Sequence, residues 1–156
     1  MTKDVLVKIS GLQVLAGAEG LGSTMSGEKI EVIAPGAYYC KGGSHFVIYE
    51  EIFDEIPEVA KVMVKIKGKR MEIHRHGAIR TKMTFEAHEK NVTSYMTPFG
   101  EMMVGVATRA VELKQTPDQM NVSVDYGLEV NYQFVSDCLI EMEIQSRSGA
   151  QLNLQS

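Results

Sequence analysis

The segment NVSVDYGLEVNYQF, residues 121–134, carries Val122, Val124, Tyr126, Leu128, Val130, Tyr132 and Phe134 at every second position. Asn121, Ser123, Asp125, Gly127, Glu129, Asn131 and Gln133 fill the places between them. Such alternation gathers the apolar set on one side only if the chain is extended, because successive side chains of a strand point to opposite faces. The pattern returns in Cys138, Ile140, Met142 and Ile144. With Val135-Ser136 as the joint, the two runs predict an antiparallel pair. Gly127, inside the longer run, predicts a bulge or a sharp bend.

Outward from this pair the same reading repeats. Val62, Val64 and Ile66 alternate with Lys61, Met63, Lys65 and Lys67, Gly68-Lys69 turns the chain, and Met71 and Ile73 face inward while Glu72 and His74 face outward. Gly77-Ala78 turns again before Ile79, Thr81, Met83 and Phe85. Three strands joined by short glycine turns form a meander. Further strands are expected at Val5–Ile9, Ile30–Ile33, Ala37–Cys40, Phe46–Glu51, Val92–Thr97, Met102–Thr108 and Ala110–Gln115. Lys41-Gly42-Gly43-Ser44 reads as a hairpin loop, Thr97-Pro98-Phe99-Gly100 as a tight corner, and Glu55–Lys61 as one helical turn. The glycine-rich Val14–Gly27 segment is expected to be a mobile loop, and residues 147–156 a frayed tail. Short strands with turns about every ten residues mean an antiparallel sandwich or barrel. Closure removes both sheet edges, which suits a chain with so few edge prolines, so the expectation is an all-β, closed or nearly closed antiparallel barrel of about 8–10 strands.

A chain of 156 residues suffices for one such domain, and 44% hydrophobic with 23% charged residues is a globular composition. No apolar run approaches the roughly 20 residues of a membrane-spanning helix, so no membrane partner is expected. The N-terminal residues lack a secretory apolar core, and Cys40 and Cys138 provide neither a disulfide framework nor a metal knuckle. A cytoplasmic protein is the resulting expectation. The net charge of −4 disfavours nucleic acid as a partner, yet charge is uneven along the chain. Lys61, Lys65, Lys67, Lys69, Arg70, Arg75, Arg80 and Lys82 are half of the 16 basic residues, and Glu72 is the only acid among them. That stretch reads either as a solvated sheet face beside an acidic strand or as a footprint for an acidic partner.

Several short stretches together resemble a known pattern. Gly36-Ala37-Tyr38-Tyr39 leading to Tyr49-Glu50-Glu51, then Arg75-His76-Gly77, Met83-Thr84-Phe85, Tyr95-Met96-Thr97-Pro98-Phe99-Gly100, Thr108 and Tyr126 are similar to the YwiB-like family. These are bacterial proteins of unknown function with a calycin-like, lipocalin-resembling β-barrel. The resemblance runs from about Val5 to Gln145 and is most specific at Tyr95–Gly100. The Val14–Gly27 loop and the acidic Ile52–Glu58 stretch look particular to this chain. The resemblance implies the barrel and no activity. It does not extend to lipocalins proper, whose Gly-x-Trp signature requires a tryptophan that this chain lacks.

Among residues that could carry chemistry, Arg75 stands first. It continues the inward series Met71, Ile73, so the pleat aims a guanidinium into the barrel. An unpaired buried cation costs on the order of several kcal/mol, so Arg75 needs a carboxylate, carbonyls or an anionic ligand. Glu50 or Glu51 is the candidate partner, and parity alone does not say which of them faces inward. The result is either a fixed ion pair or an anchor for a ligand carboxylate or phosphate. Tyr95, Thr108 and Tyr126, taken from the resembling motifs, join the candidate ligand-binding set. His74 and His76 share one strand face and are weak metal candidates. A cupin-like site would want a glutamate where Arg80 and Thr81 stand, and the surrounding cations oppose a metal.

Other signatures fail on spacing. Gly22-Ser23-Thr24-Met25-Ser26-Gly27 is followed by Glu28-Lys29 and then by a strand, so no phosphate loop forms. No Gly-x-Ser-x-Gly elbow exists. Glu50 and Glu51 are adjacent, hence on opposite strand faces, and form no carboxylate dyad. Cys40 and Cys138 read as core thiols, and the ten methionines read either as core packing or as the adaptable lining of an apolar site. The expected function is therefore binding of a small apolar or amphipathic molecule, one with an acidic group reaching Arg75, with Val14–Gly27 as a flap. The alternative is an interaction module docking an acidic protein or RNA on the basic 61–82 meander, and a homodimer is a further candidate assembly. No cofactor is implied, and enzyme activity has the least support.

Overall fold

The computed structural model describes residues 3–11, 31–53, 56–77, 80–97 and 100–147. The Val14–Gly27 loop, the tail beyond Arg147, and the central residues of the Gly77-Ala78 turn and the Thr97–Gly100 corner lie outside them. Ten strands form one sheet: β1 (Asp4–Ser10), β2 (Glu31–Lys41), β3 (Ser44–Phe53), β4 (Ile56–Lys67), β5 (Arg70–Gly77), β6 (Thr81–Glu86), β7 (Lys90–Thr97), β8 (Gly100–Gln115), β9 (Gln119–Val130) and β10 (Gln133–Ser146). Their order is β6-β5-β4-β3-β2-β1-β10-β9-β8-β7, and every neighbouring pair is antiparallel. The sheet curls until its two ends meet. At that seam Arg80 and Met96 exchange backbone hydrogen bonds of 3.0 Å, and Thr108 bonds His88 and Glu89 at the other end of β6 and β7. The result is an all-β, nearly closed barrel.

The alternating side chains fill its interior. Val5, Val7 and Ile9 of β1, Val62, Val64 and Ile66 of β4, and Val122, Val124, Tyr126, Leu128 and Val130 of β9 are all buried. Burial of this kind contributes about 25 cal/mol per Å² of apolar surface, and it is what holds the strands in register. Between β2 and β3, Gly42 and Gly43 take φ of 59° and 80°, as a two-residue hairpin turn of the favoured hand demands.

The structure departs from the sequence reading at identifiable points. Of the helical turn expected at Glu55–Lys61, Glu55 lies outside the described residues and the rest is strand. Residues from Ile56 onward belong to β4, because Val59, Ala60 and Lys61 ladder with Ile52, Glu51 and Glu50, and strand pairing overrides a short local preference. The β9–β10 joint is Asn131-Tyr132, not Val135-Ser136. Both turn residues are left-handed, at φ 49° and 68°, and Met103 donates its amide to Asn131 Oδ1 at 3.1 Å. This places Phe134 opposite the outward Glu129, so Tyr132 and Phe134, expected inside, are 70% and 65% exposed. Gly127 itself stays in register, and the bulges lie on its neighbours, at Arg109 of β8 and Val135 of β10. Each bulge inserts one residue and flips the inward parity. That flip makes β8 read in sequence as two strands, Met102–Thr108 and Ala110–Gln115. The separate strands expected at Ile30–Ile33 and Ala37–Cys40 fall on one strand, β2, from Glu31 onward, and Ile30 lies outside the described residues. Cys138 is buried as expected, but Cys40 is exposed, because it lies at the barrel rim one residue from the end of β2.

Candidate functional site

Three adjacent inward positions of β5 are Met71, Ile73 and Arg75, so the alternation that buries two apolar side chains also buries a guanidinium, 1% exposed. On β3 the inward parity is Val47, Tyr49 and Glu51, which resolves the Glu50/Glu51 ambiguity: Glu51 is 3% exposed, and Glu50 lies on the outer face. Arg75 donates from Nε to Glu51 Oε1 at 2.8 Å, and its Nη1 lies 3.9 Å from the sulfur of Met83. Small neighbours make room, since Ala60 pairs with both Glu51 and Gly77. Gly77 has φ of 114°, and a Cβ there would lie 2.3 Å from the Val59 carbonyl oxygen, so only glycine fits.

Arg75, Glu51 and Tyr95 each stand two residues from the end of their strand, at the same end of the barrel. They form a polar layer one step below that rim. Tyr49, Tyr95 and Tyr126 lie within electrostatic reach of Arg75. Thr108 faces inward on β8 directly opposite Tyr126, but outside this layer, at the end of the seam where its backbone bonds His88 and Glu89. Thr81, also buried, donates from its hydroxyl to the Ser94 carbonyl across the seam at 3.4 Å. Below this layer the lumen is apolar, with Phe85 edge-on to Tyr126 at 4.9 Å between centroids.

Electrostatically the layer holds one full charge of each sign. Burial opposes the Arg75 charge, but the Glu51 carboxylate outweighs it, so the guanidinium is held above its already high ordinary pKa. Burial, followed by the Glu51 charge, pushes the Tyr49 phenol up, and burial with neighbouring Cys138 does the same to Tyr126; both stay neutral. The pairing is incomplete. Arg75 Nη2, Glu51 Oε2 and Tyr49 OH are buried without a hydrogen-bond partner, as is Thr108 Oγ1 outside the layer. A buried unpaired polar group costs about 1–3 kcal/mol, so such atoms ordinarily meet an internal water or a bound molecule.

The other sequence candidates fall outside this layer. His74 points outward, where its Nε2 lies 3.1 Å from Glu72 Oε1, and His76 is exposed. Among the described residues no group of three or more His, Cys, Asp or Glu side chains is placed to hold a metal. The basic meander face carries its own acid: Glu72 takes Arg70 at 3.1 Å, His74 and Lys82 at 3.7 Å, and Arg70 also reaches Glu86. Tyr49 was missed as a site residue in the sequence reading. Its signal was parity alone, two positions before Glu51 on the same face. Outside the lumen, a depression of about 670 Å³ runs along β2–β4 past Ile33, Pro35, Ile48 and Lys61, and one of about 310 Å³ at the seam is lined by the outer Lys82 and Val92 as well as the inward Met83, Val104 and Val106. No helix among the described residues is long and apolar enough to cross a membrane.

With the geometry in view, comparison with known proteins places the chain. It is 25% identical over 103 residues to the uncharacterized β-barrel protein YwiB of Bacillus subtilis strain 168, covering 66% of this chain and 71% of that one. The crystal structure of the Bacillus subtilis ywiB protein superposes with a TM-score of 0.74 at 18% identity, over 92% of each chain, and so shares the fold. A family model described as a domain of unknown function, DUF1934, matches residues 20–142, and the chain belongs to that family of uncharacterised β-barrels.

Proposed function

We propose that the barrel binds a small amphipathic molecule in its lumen, with the polar end against Arg75 and Glu51 and the apolar remainder among Met71, Met83, Phe85 and Tyr126. One observation carries this reading: three buried polar atoms without partners, on Arg75, Glu51 and Tyr49, stand together in one layer of a mostly apolar interior. Pockets for small ligands have this composition, a mostly apolar lining with a few polar groups that fix orientation. Methionine adapts its shape to varied occupants, which suits Met71 and Met83 to the lower part of the site.

Native mass spectrometry of freshly purified protein tests it. A bound small-molecule mass is expected in the wild type and is expected to disappear in the Arg75→Met/Glu51→Leu double variant. A protein that is empty in every preparation, with only water on these atoms in a high-resolution map, refutes the reading.

A second reading rests on the row Lys61, Lys65 and Lys67 of β4, whose side chains face outward beyond the three groups clustered on Glu72 and Glu86. This row, with Arg80, would dock an acidic protein or RNA. Binding that weakens steeply with salt and is lost on charge reversal at Lys65, Lys67 and Arg80 supports this reading.

A further inference from the structure

We propose that the polar layer selects an uncharged head group carrying a hydrogen-bond acceptor and a donor side by side, such as a primary carboxamide, and rejects the matching carboxylate. This rests on the lumen-binding reading above and reverses the sequence-based expectation of an acidic group on Arg75. Three observations lead there.

The first is the shape of the ion pair. Arg75 uses Nε on Glu51 Oε1 at 2.8 Å, while Arg75 Nη2 and Glu51 Oε2 have no partner. Nη2 shares its carbon with Nε, and Oε2 shares its carbon with Oε1. An unpaired donor and an unpaired acceptor therefore flank one short hydrogen bond. A carbonyl oxygen satisfies the first and an N–H the second, and one amide carries both. The hydroxyl of Tyr49, also unpartnered and in the same row as Arg75, can donate or accept, so it tolerates either end of the group.

The second is charge. Among the described residues Glu51 and Arg75 are the only charged side chains in the buried set, and they cancel. An arriving carboxylate would be left as a net buried charge with no cation to compensate it, and an ammonium would face the mirror problem. A neutral group brings hydrogen bonds without that penalty.

The third is position. The layer lies one step below a barrel rim, beneath which the lining is apolar, so a small polar head can stand at the layer with a hydrocarbon part below it.

Acetamide and acetate are probes of nearly equal size that differ in this property. Each is titrated into ¹⁵N-labelled full-length protein at matched ionic strength, and the buried side-chain Nε–H signal of Arg75 is followed. Saturable shifts with acetamide at concentrations on the order of tenfold or more below those required of acetate are expected from the desolvation of an uncompensated anion. The Glu51→Gln variant removes the balancing negative charge, and its preference is expected to invert toward acetate. Should Glu51→Gln fail to fold, the Tyr49→Phe variant, which alters no charge, is expected to weaken acetamide while leaving acetate the poorer probe. Acetate bound by the wild type as well as acetamide overturns the inference and leaves lumen binding standing. A high-resolution map in which Glu51 Oε2 closes directly on Arg75 Nη2 also overturns it, since no donor–acceptor pair then remains. If neither probe moves the signal, the inference and the lumen-binding reading fall together.

Discussion

Strand β5 carries two arginines five residues apart, and the pleat sends them to opposite worlds. Arg75 points inward to a single carboxylate, with both members almost fully buried. Arg70 points outward into a cluster in which Glu72 and Glu86 share Arg70, His74 and Lys82, and its side chain is 44% exposed. The outer cluster has more contacts and matters less. Exposed pairs gain little because water and salt screen them, whereas a buried pair, however sparse, cannot lose one member without stranding the other in a medium that does not solvate it. Number of contacts and energetic weight run in opposite directions here.

The largest test of that contrast is truncation of the inner pair. Arg75→Ala or Glu51→Ala alone is expected to cost about 3–5 kcal/mol in denaturant unfolding. The Arg75→Met/Glu51→Leu double replacement should recover most of this, because no charge is then left behind. Equal losses in single and double variants would mean that packing, not charge, governs the site. Next comes Gly77→Ala, which forces a Cβ against the Val59 carbonyl at φ 114° beside the inner pair. A loss of about 1–3 kcal/mol, read as a lowered urea midpoint, is expected from the strain alone. On the solvent side the signs differ. Tyr132→Gly, at a turn position held at φ 68°, should stabilise by about 0.5–1 kcal/mol, because glycine adopts that conformation without a Cβ clash.

The smallest effect is predicted for Glu72→Gln, about 1 kcal/mol or less and fading with added salt. Its pH dependence has a definite sign. Burial pushes the Glu72 carboxyl up, but hydrogen bonds to His74 and Arg70 and the nearby Lys82 charge outweigh it, so its folded pKa lies below the ordinary value. That stabilisation is complete above the unfolded carboxylate pKa and is lost as pH falls through the lower folded value. Glu72→Gln should therefore flatten this part of the acid limb of the stability profile. An unchanged acid limb would remove Glu72 from the comparison.

Much of the architecture was legible because strand parity is a period-two property of the chain. Met71-Glu72-Ile73 points Arg75 inward with no tertiary information, and Gly42-Gly43 announces its turn. Two kinds of feature were not legible. A bulge such as Arg109 resets parity without a composition signal; only the outer ion pairs it makes with Asp125 at 2.7 Å and Asp137 at 3.0 Å show why it is there. Choosing Glu51 over Glu50, or placing the β9 turn at Asn131-Tyr132, depends on the register against another strand, and register is set by long-range pairing. The incomplete hydrogen bonding at Arg75 is a matter of atoms, and no residue pattern encodes it.

One link in the sheet order governs how the barrel is built. Every neighbouring pair of strands is also consecutive in the chain except β1 with β10, where Val5 meets Ser146 and Ile9 meets Met142. The β2–β6 meander and the β7–β10 meander each depend on local hairpins, and β1 joins them as a keystone. During synthesis this strand leaves the ribosome long before its partner exists, so it must wait with one edge open while the remaining nine strands are made. Closing β1 on β10 is then a late event with a high loop-closure cost, and weakening β1 should open that side of the barrel while the β6–β7 seam still joins the halves.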